Sequence, residues 1–294
     1  MRILFLLALA LATSQAARAC DVCGCSIGGN YLGVVPEFNR HFVSVRYGAR
    51  SFWVRHPESA RFVREHSQTA DVALRLYPHR RIQVIAIAPW QFLQPTPERR
   101  FSGAGDLSVV VNWIPLRDVG QTWRKTLTLG GGVKAPTGSF RMEDADGLPF
   151  SVLHQPGSGS WDYLANAQYM MRKGDWGMTA DVLYRFNTTN PDGYRFGDRL
   201  SGSVKAFYWK KISPKGAALL PSAGFFADHA AKDVGHGARQ ALTGGDSLLG
   251  IIGLDLFTRN FSAGINFMTP VAERLAEGQA RSGARWMFSI NYFF

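Results

Sequence analysis

After position 25 the chain contains no cysteine, and after position 19 no apolar run approaches the ~20 residues that a membrane-crossing helix requires. The first absence excludes a disulfide framework along the body of the chain, and the second excludes helical spans. Catalytic signatures are missing as well. There is no GxSxG and no HExxH, and the run Gly130-Gly131-Gly132 lacks the lysine–serine/threonine pair of a phosphate loop. A glycine run inside a strand pattern marks a bend or a close approach instead. The histidines His41, His56, His66, His79, His154, His229 and His236 fall mostly in loop-like segments, and none shares a strand face with a serine at a recognisable spacing. No catalytic residues are expected.

What the chain does have begins at its first residues. Met1 and Arg2 precede an apolar run, Ile3 to Ala12, and Ala17-Arg18-Ala19 follows the small-x-small rule, which predicts a signal peptide over 1–19 cleaved after Ala19. Acylation of Cys20 is the alternative, although Arg18 is not the small residue that it needs. The formal charge of +11 includes Arg2 and Arg18 and no acid before position 20, leaving about +9 after cleavage. An exported chain rarely meets nucleic acid, so none is expected as a partner. The charge is assigned to loops, a polar interior and anionic surfaces.

The body of the chain repeats with a period of two. In Trp176 to Asn187, the residues Trp176, Met178, Ala180, Val182, Tyr184 and Phe186 share one face, and Thr179, Asp181, Arg185 and Asn187 lie on the other. The same alternation runs through Val43 to Arg50, Leu107 to Trp113 and Trp161 to Arg172. Long alternating strands with aromatic ends predict an all-β fold, a transmembrane antiparallel β-barrel of about twelve strands of the bacterial outer-membrane type, spanning 38–294. Strands are expected near 38–54, 68–78, 81–91, 104–114, 124–136, 160–172, 176–187, 200–211, 217–228, 246–258, 260–269 and 284–294. Their connections alternate between long (55–67, 92–103, 137–159, 188–199, 229–245, 270–283) and short, as loops outside and turns inside require.

The C-terminal RWMFSINYFF sets Trp286, Phe288, Ile290, Tyr292 and Phe294 on one face and ends on an aromatic residue. It resembles the signature by which outer-membrane barrels are recognised for insertion, and implies outer-membrane lipid and the barrel-assembly machinery as partners. The segments GDLSVVVNW, GGGVKAPTGSF and PGSGSWDYLANAQYM resemble a large group of outer-membrane transporter-like proteins labelled as belonging to a meta-pathway of phenol degradation. That resemblance implies passage of hydrophobic aromatic compounds. CDVCGCSIGGNYLGVVPEFNRHFVSVRYG is similar to a subgroup that carries cysteines ahead of the first strand.

Two sets of candidate functional residues follow. Arg46, Arg50, Arg75, Arg185 and Arg285, with Asp71, Asp106, Asp162, Asp181 and Asp255, occupy the polar positions and are expected to line the lumen, either matching one another or selecting a solute. Lys134 belongs to the same pattern. Cys20, Cys23 and Cys25 form the other set, within the 20–37 segment, which is expected to be a periplasmic or plug segment. Thiolates in C-x-x-C-x-C converge from a glycine-relaxed turn and suit soft metals, Cu(I) first and Zn(II) second. A redox or disulfide role is the alternative. The chain thus reads as an outer-membrane channel or transporter with metal handling, receiving metal from a periplasmic metal carrier or handing metal to it. The alternatives are an uptake channel for small hydrophobic or aromatic compounds and a closed structural or binding barrel.

Overall fold

The computed structural model describes residues 40–55, 61–96, 100–120, 122–143, 147, 150–213 and 216–294. The expected signal peptide over 1–19, the 20–37 segment and all three cysteines lie outside these residues. Twelve long strands follow in order: β1 Phe42–Arg55, β2 Phe62–His79, β3 Ile82–Gln94, β4 Ser108–Val119, β5 Trp123–Lys134, β6 Asp162–Lys173, β7 Trp176–Phe186, β8 Arg199–Tyr208, β9 Ala218–Ala230, β10 Gly245–Phe257, β11 Phe261–Leu275 and β12 Ala280–Phe293. Each pairs antiparallel with its sequence neighbours, and β1 pairs with β12, so the sheet closes without an edge. Closure satisfies every ladder hydrogen bond within the sheet, as a span through hydrocarbon demands.

The alternation sorts side chains between the two faces. On β1, Val43, Val45 and Tyr47 point outward and pair with Tyr292, Ile290 and Phe288 of β12, while Ser44, Arg46 and Gly48 point inward. Val45, Val204, Phe225, Ile252 and Ile290 are each more than half exposed, an outer belt that would aggregate in water and is satisfied by lipid. Aromatic rings ring both ends of this belt. Trp176 packs with Tyr208, and Phe261 with Tyr292, at the short-turn end; Tyr163 packs with Phe186 at the long-loop end.

Several loops expected from the sequence are strand instead. β2 begins at Phe62, β3 runs on to Gln94, and β11 and β12 are joined only by the short turn at Ala276–Gly278, so 62–67, 92–94, 270–275 and 280–283, placed in loops, lie in strands. Those strand ends carry Arg64, Glu65, His66, Glu273 and Arg274, where both faces are polar and the period disappears although the ladder continues. The turn read at 115–123 is also mostly strand, because β4 passes Pro115 through a register shift between Trp113 and Leu116 and continues to Val119.

Gly132 in β5 is a close approach. A Cβ there would stand 2.3 Å from the Val109 carbonyl oxygen and 2.9 Å from the Val110 side chain, which leans over it to meet Leu164 and Leu183. Gly132→Val is expected to lower barrel stability by ~1–3 kcal/mol through overpacking, read as an earlier loss of heat-modifiable gel mobility. Unchanged mobility would contradict this packing.

Candidate functional site

The register brings the inward charges together in cross-strand sets. Arg46 donates from Nε to Asp71 Oδ1 at 2.7 Å, directly across β1 and β2. Arg199 reaches Asp228 at 3.5 Å between β8 and β9. Asp181 accepts from Ser203 Oγ at 2.6 Å, and Lys205 lies within electrostatic reach of both Asp181 and Asp255. Two like-charge pairs also face one another: Arg50 with Arg285, and Arg185 with Arg199. All eleven charges chosen from the sequence lie on the inward side, ten on strands and Asp106 in the segment leading into β4. Lys205, Arg199, Asp228, Glu65 and Glu273 were missed. Lys205 was findable, since Ser201, Ser203 and Lys205 alternate with Leu200, Val204 and Ala206.

One set of charges shapes the outer mouth. Lys134 sits between Asp106 at 3.0 Å and Asp162 at 2.5 Å, all three almost wholly buried. Asp106 also accepts from the backbone N–H of Gly138 at 3.0 Å and from the backbone N–H and hydroxyl of Ser158 at 2.9 and 2.7 Å. Asp162 accepts from Ser160 Oγ and from the Thr188 N–H. Gly138 and Gly157 touch backbone to backbone, where a Cβ on either would fall 2.7–2.8 Å from the other. These contacts pin both ends of the 135–161 loop.

The loop then crosses the mouth. It leaves β5 and returns at β6, yet Leu153 packs among Phe52 and Val54 of β1, Leu275 of β11 and Ala280 of β12. His154 Nε2 lies 3.6 Å from Glu65 Oε2 on β2, and Gln91 Nε2 of β3 donates to the Pro156 carbonyl at 2.7 Å. Tyr194, Phe196 and Leu242, from the neighbouring loops, close over the same cluster. Asp233 ties those loops together by accepting from Tyr194 Oη at 2.5 Å and the Gly197 N–H at 2.7 Å. The described residues of the loop form a cap across the long-loop end, which faces outward in this fold class.

Below the cap, part of the inner face is apolar. Phe226, Leu249, Ile251 and Met268 form a cluster across β9, β10 and β11. At the short-turn end Phe42, Phe207, Trp209, Leu220, Phe257 and Phe293 gather in another, and Phe207, Leu220, Phe257 and Phe293 are at most 2% exposed. Phe207 and Trp209 therefore pack in one apolar cluster. Met287 points inward on β12 but stands outside that cluster.

Among the described residues no histidine is hydrogen-bonded to a hydroxyl. His41 and His79 accept from the Tyr77 and Arg81 N–H groups, and His229 pairs with Asp246 at 2.6 Å on the exposed rim. No cluster of three or more metal-ligating side chains occurs among the described residues either.

Among solved structures, the chain is similar to an outer membrane channel from Pseudomonas putida F1, at 14% identity and a TM-score of 0.61, over 87% of this chain and 96% of that one. It is also similar to the NanC porin, at 12% identity and a TM-score of 0.48 over 85% and 98% of the two chains. The translocator domain of the autotransporter NalP from Neisseria meningitidis matches at 12% identity and a TM-score of 0.43, over 90% and 92%. At such identities the likeness concerns the barrel fold. No curated protein matches the chain in sequence. The family model described as "Putative MetA-pathway of phenol degradation" matches residues 76–284, from the end of β2 into β12, and the chain belongs to that family.

Proposed function

We propose that this barrel is an outer-membrane channel that admits small, largely apolar solutes beneath the 135–161 cap. The observation that carries the reading is the apolar portion of the inward face, from Phe52 and Leu275 under the cap through Leu249 and Ile251 to Phe207 and Phe257. A wide water-filled pore has a polar interior, whereas aromatic and aliphatic walls desolvate an apolar solute. The description of the Pseudomonas putida relative as a channel is consistent with this reading. Purified protein in planar bilayers is expected to give small single-channel steps. Silent membranes with folded protein would favour a closed structural or binding barrel instead.

The thiol cluster favours a second role, which concerns the segment ahead of β1. Three cysteines within six positions of an exported chain form a soft-metal ligand set, and copper or zinc bound there would link the barrel to metal handling. Protein purified anaerobically and reduced is expected to hold about one copper or zinc ion per chain, lost in a Cys20, Cys23, Cys25→Ser variant. Freely titrating thiols with no metal would remove this role and leave the channel reading intact.

A further inference from the structure

Arg75 on β2 differs from four other cations of the lumen. Arg46, Lys134, Arg199 and Lys205 each face at least one carboxylate. Arg75 is 5% exposed, and among the described residues its Nε and Nη2 have no hydrogen-bond partner. Its guanidinium carbon instead lies 3.9 Å from the centre of the Phe42 ring and 5.6 Å from that of Tyr77. Its register neighbours are Phe42 on β1 and Ile85 on β3, neither of which can accept a hydrogen bond through its side chain. Asp71, two pleat repeats away on the same face, is taken by Arg46.

An unpaired buried guanidinium is costly, and a planar fork of donors fits a carboxylate. The groups beside it define the rest of the ligand. Phe42 stands edge-on to Phe293 at 5.8 Å and belongs to the cluster of Phe207, Trp209, Leu220 and Phe257. Aromatic side chains so grouped favour an aromatic ligand over an aliphatic one. One cation matches one negative charge, which excludes phosphate esters as the preferred ligand, since a dianion calls for more than one partner. Nearer the cap, the facing Arg50 and Arg285 raise the potential along the same wall, which draws anions inward.

We propose that Arg75 and Phe42 form a binding site for small aromatic monocarboxylates at the inner end of the lumen. This rests on the channel reading for its biological sense, but binding can be measured without an open pore. The experiment is quenching of tryptophan fluorescence in detergent-solubilised protein by 4-nitrobenzoate, 4-nitrobenzyl alcohol and 4-nitrobenzylamine, with Trp209 beside the site as reporter. The carboxylate is expected to half-saturate at a concentration about tenfold lower than the alcohol, and the amine at the highest, one salt-bridged hydrogen bond being the difference. Arg75→Gln should bring carboxylate and alcohol together without moving the alcohol, and Arg75→Lys should retain part of the preference. Trp209→Phe should reduce the amplitude alone. Equal midpoints in the wild type, or a carboxylate preference that survives in Arg75→Gln, would overturn the site. The wild-type comparison decides the matter even where Arg75→Gln fails to fold. A carboxylate preference in a protein that is silent in bilayers would keep the site and remove the channel.

Discussion

Lys134→Met is expected to destabilise the barrel by ~3–5 kcal/mol, because it leaves Asp106 and Asp162 buried without their common cation. The two carboxylates would face each other at the root of the 135–161 loop, where Asp106 also holds the Gly138 and Ser158 backbone N–H groups. The defect should therefore be local before it is global. Proteolysis within the loop should come first, followed by loss of heat-modifiable mobility at a lower temperature. Because the same loop carries Leu153 and His154 across the mouth, its release should also enlarge the single-channel steps. Adding Asp162→Asn should recover part of the stability, since it removes one of the stranded charges. A Lys134→Met protein with an intact loop and unchanged steps would mean that the triad is not the anchor.

The second large effect lies at the seam. Phe294 donates its backbone N–H to the His41 carbonyl at 3.0 Å, and its ring stacks on His41 at 5.6 Å and on Tyr292 at 6.3 Å. These contacts close the inner end of the β1–β12 junction, alongside the hydrogen bond from the Phe293 N–H to the Asn260 carbonyl. Two aromatic contacts at ~0.5–1.5 kcal/mol each correspond to about tenfold in the folding equilibrium constant. Deletion of Phe294 is expected to lower the midpoint of heat-modifiable mobility and the amount of folded barrel recovered from outer membranes. Phe294→Tyr, which keeps the ring, should restore both. Loss of recovery in cells combined with normal refolding in detergent would assign the residue to recognition by the assembly machinery and not to the seam.

The strands were legible because a barrel wall imposes one rule on every residue. Trp176 to Phe186 alternate between lipid and interior without interruption, and most of the twelve strands declared themselves in this way. Legibility failed where the environment stopped differing between faces. Near Arg64 and Glu273 both faces meet water, so the pattern ended before the strand did. Inside the membrane the reverse occurred in LLGIIGLDLF of β10, where Leu249 and Ile251 point inward and Ile252 and Leu254 outward. Both faces are apolar there, and no alternation could disclose an apolar lumen wall. The charges of β1, β2 and β7 stood out against apolar neighbours, which made the lumen set readable. The cap did not. Its partners, Phe52, Glu65, Gln91 and Leu275, are distant in sequence from Leu153 and Pro156, and only barrel closure brings them together.

The most direct test of the account is the interruption of ionic current through the wild-type protein by a small neutral aromatic solute. Benzyl alcohol and glucose would be added in turn to one side of a planar bilayer containing a single channel. The apolar inward wall predicts brief, concentration-dependent interruptions by benzyl alcohol and none by glucose at equal concentration. Interruption by glucose alone, or equally by both, would contradict an apolar path and make the barrel a pore for polar solutes.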